Sequence, residues 1–342
     1  QKQLLTNKVT NTQNNKYLPI WKVQQQMAND ELILHYTELN DKFYVSSITK
    51  SSIDLSTLNI TPVIDSLLNI TANDLASGNT SLVDLFEVYN FLELEEIPVH
   101  ITQITVIPDN ELYRIPLDIL PTNKPNSSYS FGSTNYLIED YSFKYFTSLQ
   151  DYTNNNRNTS NNLKNDFSAF AISYFDGFQD KNLPSLPFAT QEANEIEEVL
   201  TSFKNKKVFL GNLATEQAFQ EQLNSSRVLH VATHSEVSAQ DPLFSTIYLK
   251  SAKTNGTEGN VLYAYELFDN QLDNELIMLN SCSSGTGNYL QGSGIMGISR
   301  ALRYAGAKSL ALNLWEVNDK IASEFATDFY FYLNKGFSKS ES

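Results

Sequence analysis

Two short apolar runs each end on a side chain able to do chemistry. Val228-Leu229-His230-Val231-Ala232-Thr233-His234 closes on a histidine. Leu276-Ile277-Met278-Leu279-Asn280-Ser281-Cys282 closes on the one cysteine among 342 residues. Runs of this length and β-propensity suit strands buried in a parallel sheet. Open α/β sheets keep their sites at the carboxyl ends of such strands. A thiol beside an imidazole is a standard way to make a nucleophile at neutral pH. Small residues around the thiol, Ser281, Gly285 and Gly287, let a substrate backbone approach. They also leave backbone N–H groups free to hold an oxyanion.

The elements that must position these two ends alternate along the second half. Phe167–Ser173 and Lys207–Leu210 read as strands. Between them Thr190 can cap a helix with Ala193, Ile196, Leu200 and Phe203 on one face. Thr215 opens a helix through Leu223. Ser245–Lys250 and Val261–Tyr265 flank Asn255-Gly256 as a hairpin. A helix over about Ile295–Tyr304, a strand over Ser309–Trp315 and a helix over about Lys320–Leu333 complete the pattern. Strands alternating with helices imply a mostly parallel sheet covered on both faces. The first half carries strands at Asp41–Ile48 and Ile101–Ile107, with a helix over Ser81–Leu92. Asp151–Asp166 is rich in Asn and Ser and poor in apolar residues, so it reads as a flexible linker. The expected division is residues 1–150, linker 151–166, and 167–342.

With 41% hydrophobic and 12% aromatic residues the chain can bury a substantial core. One cysteine excludes an intrachain disulfide and a cysteine-cluster zinc site, and fits a reducing, cytoplasmic setting. No run approaches the roughly 20 apolar residues that span a bilayer. A net charge of −15 disfavours nucleic acid and anionic membrane as direct partners and suits a basic substrate. His230 and His234 lie four apart with no third ligand in sequence, so no metal is expected and His230 reads as a packing residue. Gly292-Ser293-Gly294-Ile295-Met296-Gly297 spells a dinucleotide fingerprint, with Glu316 beyond it. Ten residues separate the strand end from its first glycine, whereas a pyrophosphate needs that glycine directly after the strand. No cofactor is expected.

His234 and Cys282 are 282 − 234 = 48 residues apart; caspases place their histidine about 50 residues before the cysteine. The wider sequence resembles the CHAT domain, a caspase- and separase-like cysteine peptidase family of clan CD often joined to tetratricopeptide repeats. Leu229–His234 is similar to its histidine strand and Asn280–Gly285 to its nucleophile turn. Gly294–Ala307 is similar to the following helix and Asn313–Asp319 to the next strand end. Ile107-Pro108-Asp109, Leu112, Ile115-Pro116-Leu117 and Tyr136–Tyr141 carry the resemblance into the first half. It implies an α/β caspase-like fold of two lobes, the first degenerate and the second catalytic. It implies a Cys282–His234 dyad cleaving a protein substrate through a thioester. Backbone N–H groups of Ser235 and Cys282 would form the oxyanion hole. Asp319, and Glu316 behind it, would select a basic residue before the cleaved bond. It also implies an upstream repeat region or activating partner. Ser235 stands where the family usually has glycine. The chain also stops before the family's further helix and strand, so the C-terminal end is expected to be truncated. A catalytically inactive caspase-like scaffold or sensor, and less strongly a nucleotide-binding protein, are the alternatives.

Overall fold

The computed structural model describes residues 18–155, 163–176, 178, 183–238, 240–255, 258–281, 288–290 and 294–342. Helix α1 (Ile20–Gln24) precedes an antiparallel meander, β1 (Glu31–Glu38), β2 (Lys42–Ile48) and β3 (Ile53–Asn59). Helices α2 (Pro62–Ser77) and α3 (Leu82–Phe91) follow. Their N-caps, Thr61 and Ser81, accept from the N–H groups of Ile64 and Asp84. Strand β4 (Gln103–Ile107), helix α4 (Leu137–Asp140), β5 (Ser142–Tyr145) and α5 (Leu149–Asn154) complete a sheet of order β3-β2-β1-β4-β5. Leu34, Tyr36 and Val106 face α2 and α3. Ile33, Ile48 and Ile107 face α1 and α5 on the other side.

The second sheet has order β15-β12-β8-β6-β7 and is parallel throughout. Its chain order is β6 (Asn165–Ala171), α6 (Ala189–Val199), β7 (Lys206–Leu210), α7 (Glu216–Leu223) and β8 (Ser226–Ala232). A small antiparallel sheet then intervenes: β9 (Ser235–Glu236), β10 (Thr246–Lys250) and β11 (Gly259–Tyr263). After it come α8 (Ala264–Leu267), β12 (Leu276–Leu279), the hairpin β13 (Asn288–Leu290) and β14 (Gly294–Met296), α9 (Ile298–Ala305), β15 (Leu310–Leu312) and α10 (Asp319–Lys335). Alternation along the strands splits the core in two. Leu229, Val231, Ile277 and Leu279 pack under α7 and α9. Val228, Ala232, Leu276 and Met278 pack under α6 and α10. This is a mixed α/β protein with parallel strands and helices on both faces of the second sheet. Among the described residues no helix is long and apolar enough to cross a membrane.

Several elements differ from the sequence expectation for local reasons. Thr190 is not a cap: the helix begins at Ala189 with Phe188 in the cap position, and Thr190 Oγ1 bonds Ser173 Oγ at 2.8 Å. The expected helix from Ile295 begins at Ile298, because Gly294–Met296 pairs as β14. The helix therefore opens after Gly297, the last glycine of the fingerprint; Gly292 lies outside the described residues. The first residues of the expected linker, Asp151–Asn154, belong to α5, where Asp151 pairs with Arg303 of α9. Asn165 and Asp166, at its other end, open β6. Residues 156–162 lie outside the described residues. Gly256 of the expected hairpin turn does too, while Asn255 holds φ 51° and β10 pairs with β11.

Gly306 closes α9 at φ +118°, and a Cβ there would meet the Leu272 carbonyl oxygen at 2.4 Å. Gly336 closes α10 at φ +96° with open space around it. Gly336→Ala is expected to cost about 1–2 kcal/mol from the left-handed backbone alone. Gly306→Ala should cost clearly more, since the backbone at Leu272 cannot swing aside. Urea unfolding of both variants checks the difference.

Candidate active site

Strands β8 and β12 run side by side with Leu276 opposite Val228, an offset of 276 − 228 = 48 positions. That equals the separation of His234 and Cys282. The last paired residues are Leu279 and Val231, and the Asn280 N–H donates to the Val231 carbonyl at 2.8 Å. Both chains therefore leave the sheet at one level. Ser281 is buried there. Cys282 itself, with residues 283–287, lies outside the described residues.

His234 stands two residues past β8. The chain there is fixed by a bond from the Tyr248 N–H to the His234 carbonyl at 3.0 Å and from Thr233 Oγ1 to the Tyr248 carbonyl at 2.8 Å. Its imidazole is buried under the loop that leads into α6. Nε2 lies 2.8 Å from the Pro184 carbonyl oxygen. The Phe175 ring packs 4.5 Å from the imidazole, centroid to centroid. A carbonyl can only accept, so Nε2 carries the proton in the neutral ring and Nδ1 keeps the lone pair. The loop is tied down from below. Lys250, almost wholly buried, donates from Nζ to the Asp176 carbonyl at 2.7 Å and lies 5.1 Å over the Phe178 ring. Burial pulls the Lys250 pKa down, and the nearby Asp176 charge opposes that shift.

Asp319 is the first residue of α10, not its cap. Asn318 caps the helix, its side chain accepting from the Lys320 and Ile321 N–H groups. Asp319 Oδ2 instead accepts from the Phe188 N–H at 2.9 Å, joining α10 to the start of α6. Burial raises the Asp319 pKa above its ordinary value, and the Glu192 charge adds to the rise. The Phe188 N–H and the His234 charge pull the other way without winning. Asp319 and His234, expected separately as pocket and dyad residues, thus influence each other electrostatically. Ser235 opens β9 opposite Ile247. Glu316 is exposed on the segment between β15 and α10. Among the described residues no cluster of three or more His, Cys, Asp or Glu side chains is placed to hold a metal.

Sequence reading did not find Pro184, Phe175 or Lys250. The first acts through its backbone, and the other two act through a loop whose course is set by tertiary contacts. Glu192 could have been found as a charge on the apolar face of an amphipathic helix, one position before Ala193 and four before Ile196.

The family model of the CHAT domain matches residues 85–342, and the chain belongs to this peptidase-like family related to the caspase-like peptidases of clan CD. The match spans the end of α3, the β4 and β5 strands and the whole second sheet. No curated protein matches the chain.

The Asp319 environment gives a pH test. Its carboxyl ionises less readily in the fold than at the ordinary 3.8. The ionised fold therefore carries a penalty at neutral pH that is absent below the ordinary value, where both states are protonated. Asp319→Asn keeps an oxygen for the Phe188 N–H and removes the charge. Its melting temperature is expected to exceed that of the wild type at pH 7 and to match it near pH 3.5. A gain of equal size at both pH values would show that the charge is not responsible.

Proposed function

We propose that the protein is a regulated cysteine endopeptidase with a Cys282–His234 dyad. The observation that carries this reading is the β8–β12 register, whose offset of 48 positions sets both residues three places beyond the last paired residues. The Pro184 carbonyl supports it by fixing the tautomer. With Nε2–H engaged, Nδ1 takes the proton of Cys282, or pairs as imidazolium with a pre-formed thiolate. The thiolate attacks the scissile carbonyl carbon, and the N–H groups of Ser235 and Cys282 receive the oxyanion. His234 returns the proton to the leaving amine, breaking the C–N bond and leaving a thioester. Water, deprotonated by His234, then releases the acid. No cofactor takes part in this scheme.

Asp319 supports a basic preference at the residue before the cleaved bond. It is a half-buried carboxylate beside His234, with Glu192 adding negative charge. A guanidinium or ammonium would relieve the like-charge repulsion there. Glu316, exposed three residues earlier, would contribute at the rim. The first sheet is read as the degenerate half of a caspase-like pair, residues 1–150, with the catalytic half over 167–342. An upstream repeat region or activating partner would govern access to the site, and a protein would be the substrate.

Labelling tests the dyad. An arginyl chloromethylketone is expected to add one mass increment on Cys282, lost in Cys282→Ala and slowed by about 100-fold or more in His234→Ala. A peptide panel tests the pocket: wild type should prefer Arg or Lys, and Asp319→Ala should erase the preference. Equal cleavage after Leu and Arg by both proteins would end the pocket assignment. Labelling that ignores His234→Ala would end the dyad.

A further inference from the structure

A chain of polar side chains runs beneath the nucleophile strand, and the dyad does not use it. Glu192, in the first turn of α6, is 1% exposed, and His230, in the middle of β8, is 0% exposed. Glu192 Oε1 lies 2.8 Å from His230 Nε2, a close contact outside hydrogen-bond geometry. The same oxygen accepts from Asn280 Nδ2 at 2.6 Å. Asn280 Oδ1 accepts from Asn313 Nδ2 at 3.0 Å, and that amide also reaches the Ser281 carbonyl at 3.4 Å. Four stretches are tied together: α6, β8, and the chain leaving β12 and β15. The Tyr330 ring of α10 stands edge-on to His230 at 5.6 Å. Its buried hydroxyl has no hydrogen-bond partner among the described residues.

Stability does not call for this arrangement. The other face of the same two strands is filled by Leu229, Val231, Ile277 and Leu279. Burying a carboxylate with an imidazole costs desolvation that their attraction often fails to recover. Polar groups have instead been placed directly under Asn280 and Ser281, the two residues before Cys282.

We propose that Glu192, His230, Asn280 and Asn313 are positioning residues that fix the Ser281–Cys282 peptide. Both ends of the Asn280 amide are engaged, by Glu192 and by Asn313, so its plane cannot turn. Asn313 holds the Ser281 carbonyl. A trans peptide is planar, so a fixed carbonyl also fixes the N–H on its far side. That N–H belongs to Cys282, the oxyanion donor of the proposed reaction. The network thus aims the oxyanion hole, and its purpose rests on the peptidase reading above.

The test uses the full chain in three forms: wild type, Asn313→Ala, and the double variant Glu192→Met with His230→Leu. Three readouts are taken: melting temperature, amide exchange by mass spectrometry across residues 276–290, and kcat and KM on an arginine-ending peptide. Melting temperatures are expected to stay within a few degrees, because apolar replacement of a buried pair is often neutral. Exchange across the turn should quicken by about 10-fold or more while the remaining strands keep their protection. The kcat should fall by about 10- to 100-fold in both variants, as when an oxyanion donor is misaimed, with KM nearly unchanged in Asn313→Ala, which keeps the Glu192 charge beside Asp319. If the double variant does not fold, Asn313→Ala, at a half-buried position, carries the test. Unchanged exchange across the turn overturns the proposal whatever the activity. Quickened exchange with an unchanged kcat overturns it too, by leaving the network a structural role alone. A wild type that cleaves and labels nothing, while exchange still responds, upholds the network and removes the peptidase reading instead.

Discussion

The register between β8 and β12 is the constraint on which the site depends. Parallel strands cannot be joined by a tight turn, so the chain must travel between them and return at the right level. Here it travels through β9, β10, β11 and α8. The offset then decides which residues meet. Because side chains alternate along a strand, a slip of one position would exchange the two faces. Val228, His230 and Ala232 share a face with Leu276, Met278 and Asn280. That face lies under α6 and α10, which bring Glu192 and Asp319. The opposite face is apolar under α7 and α9. One register thus assigns chemistry to one side of the sheet and packing to the other.

Competing electrostatic effects meet at Asp319. A helix N-terminus favours an anion, and so does the Phe188 N–H. Burial and the Glu192 charge oppose ionisation, and the raised pKa shows that they prevail. A carboxylate kept under tension in this way is poorly satisfied by its own fold. A cation would satisfy it. Lys250 shows the opposite solution. It too is buried, but its ammonium has a carbonyl and an aromatic face to meet. It ties down Asp176 and Phe178, beside the Phe175 ring that packs on His234.

The five strands of the second parallel sheet were legible in the sequence because each is a short apolar run; β1, β3 and β5 of the first sheet were not, and β3 is exposed along almost its whole length. Thr215 was legible as a cap because its hydroxyl needs only a local N–H, that of Ala218. Asp319 was harder. Asn318 and Asp319 are both good caps, and only the path of Phe188 shows which side chain is drawn away to another helix. The boundary between the halves was also less clear than composition suggested. Asn-rich sequence starts at Asp151, yet Asp151 is held by Arg303, a partner 152 positions away. The Pro184 carbonyl leaves no side-chain signature at all. The network under Ser281 joins positions 192, 230, 280 and 313, a convergence that exists only once the sheet order is known.

That sheet order also explains why the first half matters to the second. Beyond Cys282 the chain returns as β14, which lies against the short helical turn Asn110–Tyr113 of the first half. Helix α9 follows directly. Its Arg303 pairs with Asp151 of α5 and lies 6.0 Å over the Phe146 ring. Beyond β15, Trp315 packs against the core that contains Leu34, Leu117 and Leu137. Three successive pieces of the chain downstream of Cys282 therefore rest on residues from the first sheet and its loops. The β8–β12 pairing holds Asn280 from below, and the first half holds β14, α9 and Trp315 further along the chain. A displacement between the halves would pull on that outgoing segment while leaving His234, anchored by Tyr248 and Pro184 within the second half, in place. His234 and the outgoing segment thus have different mechanical supports, and β14 with α9 is the part exposed to movement of the first half.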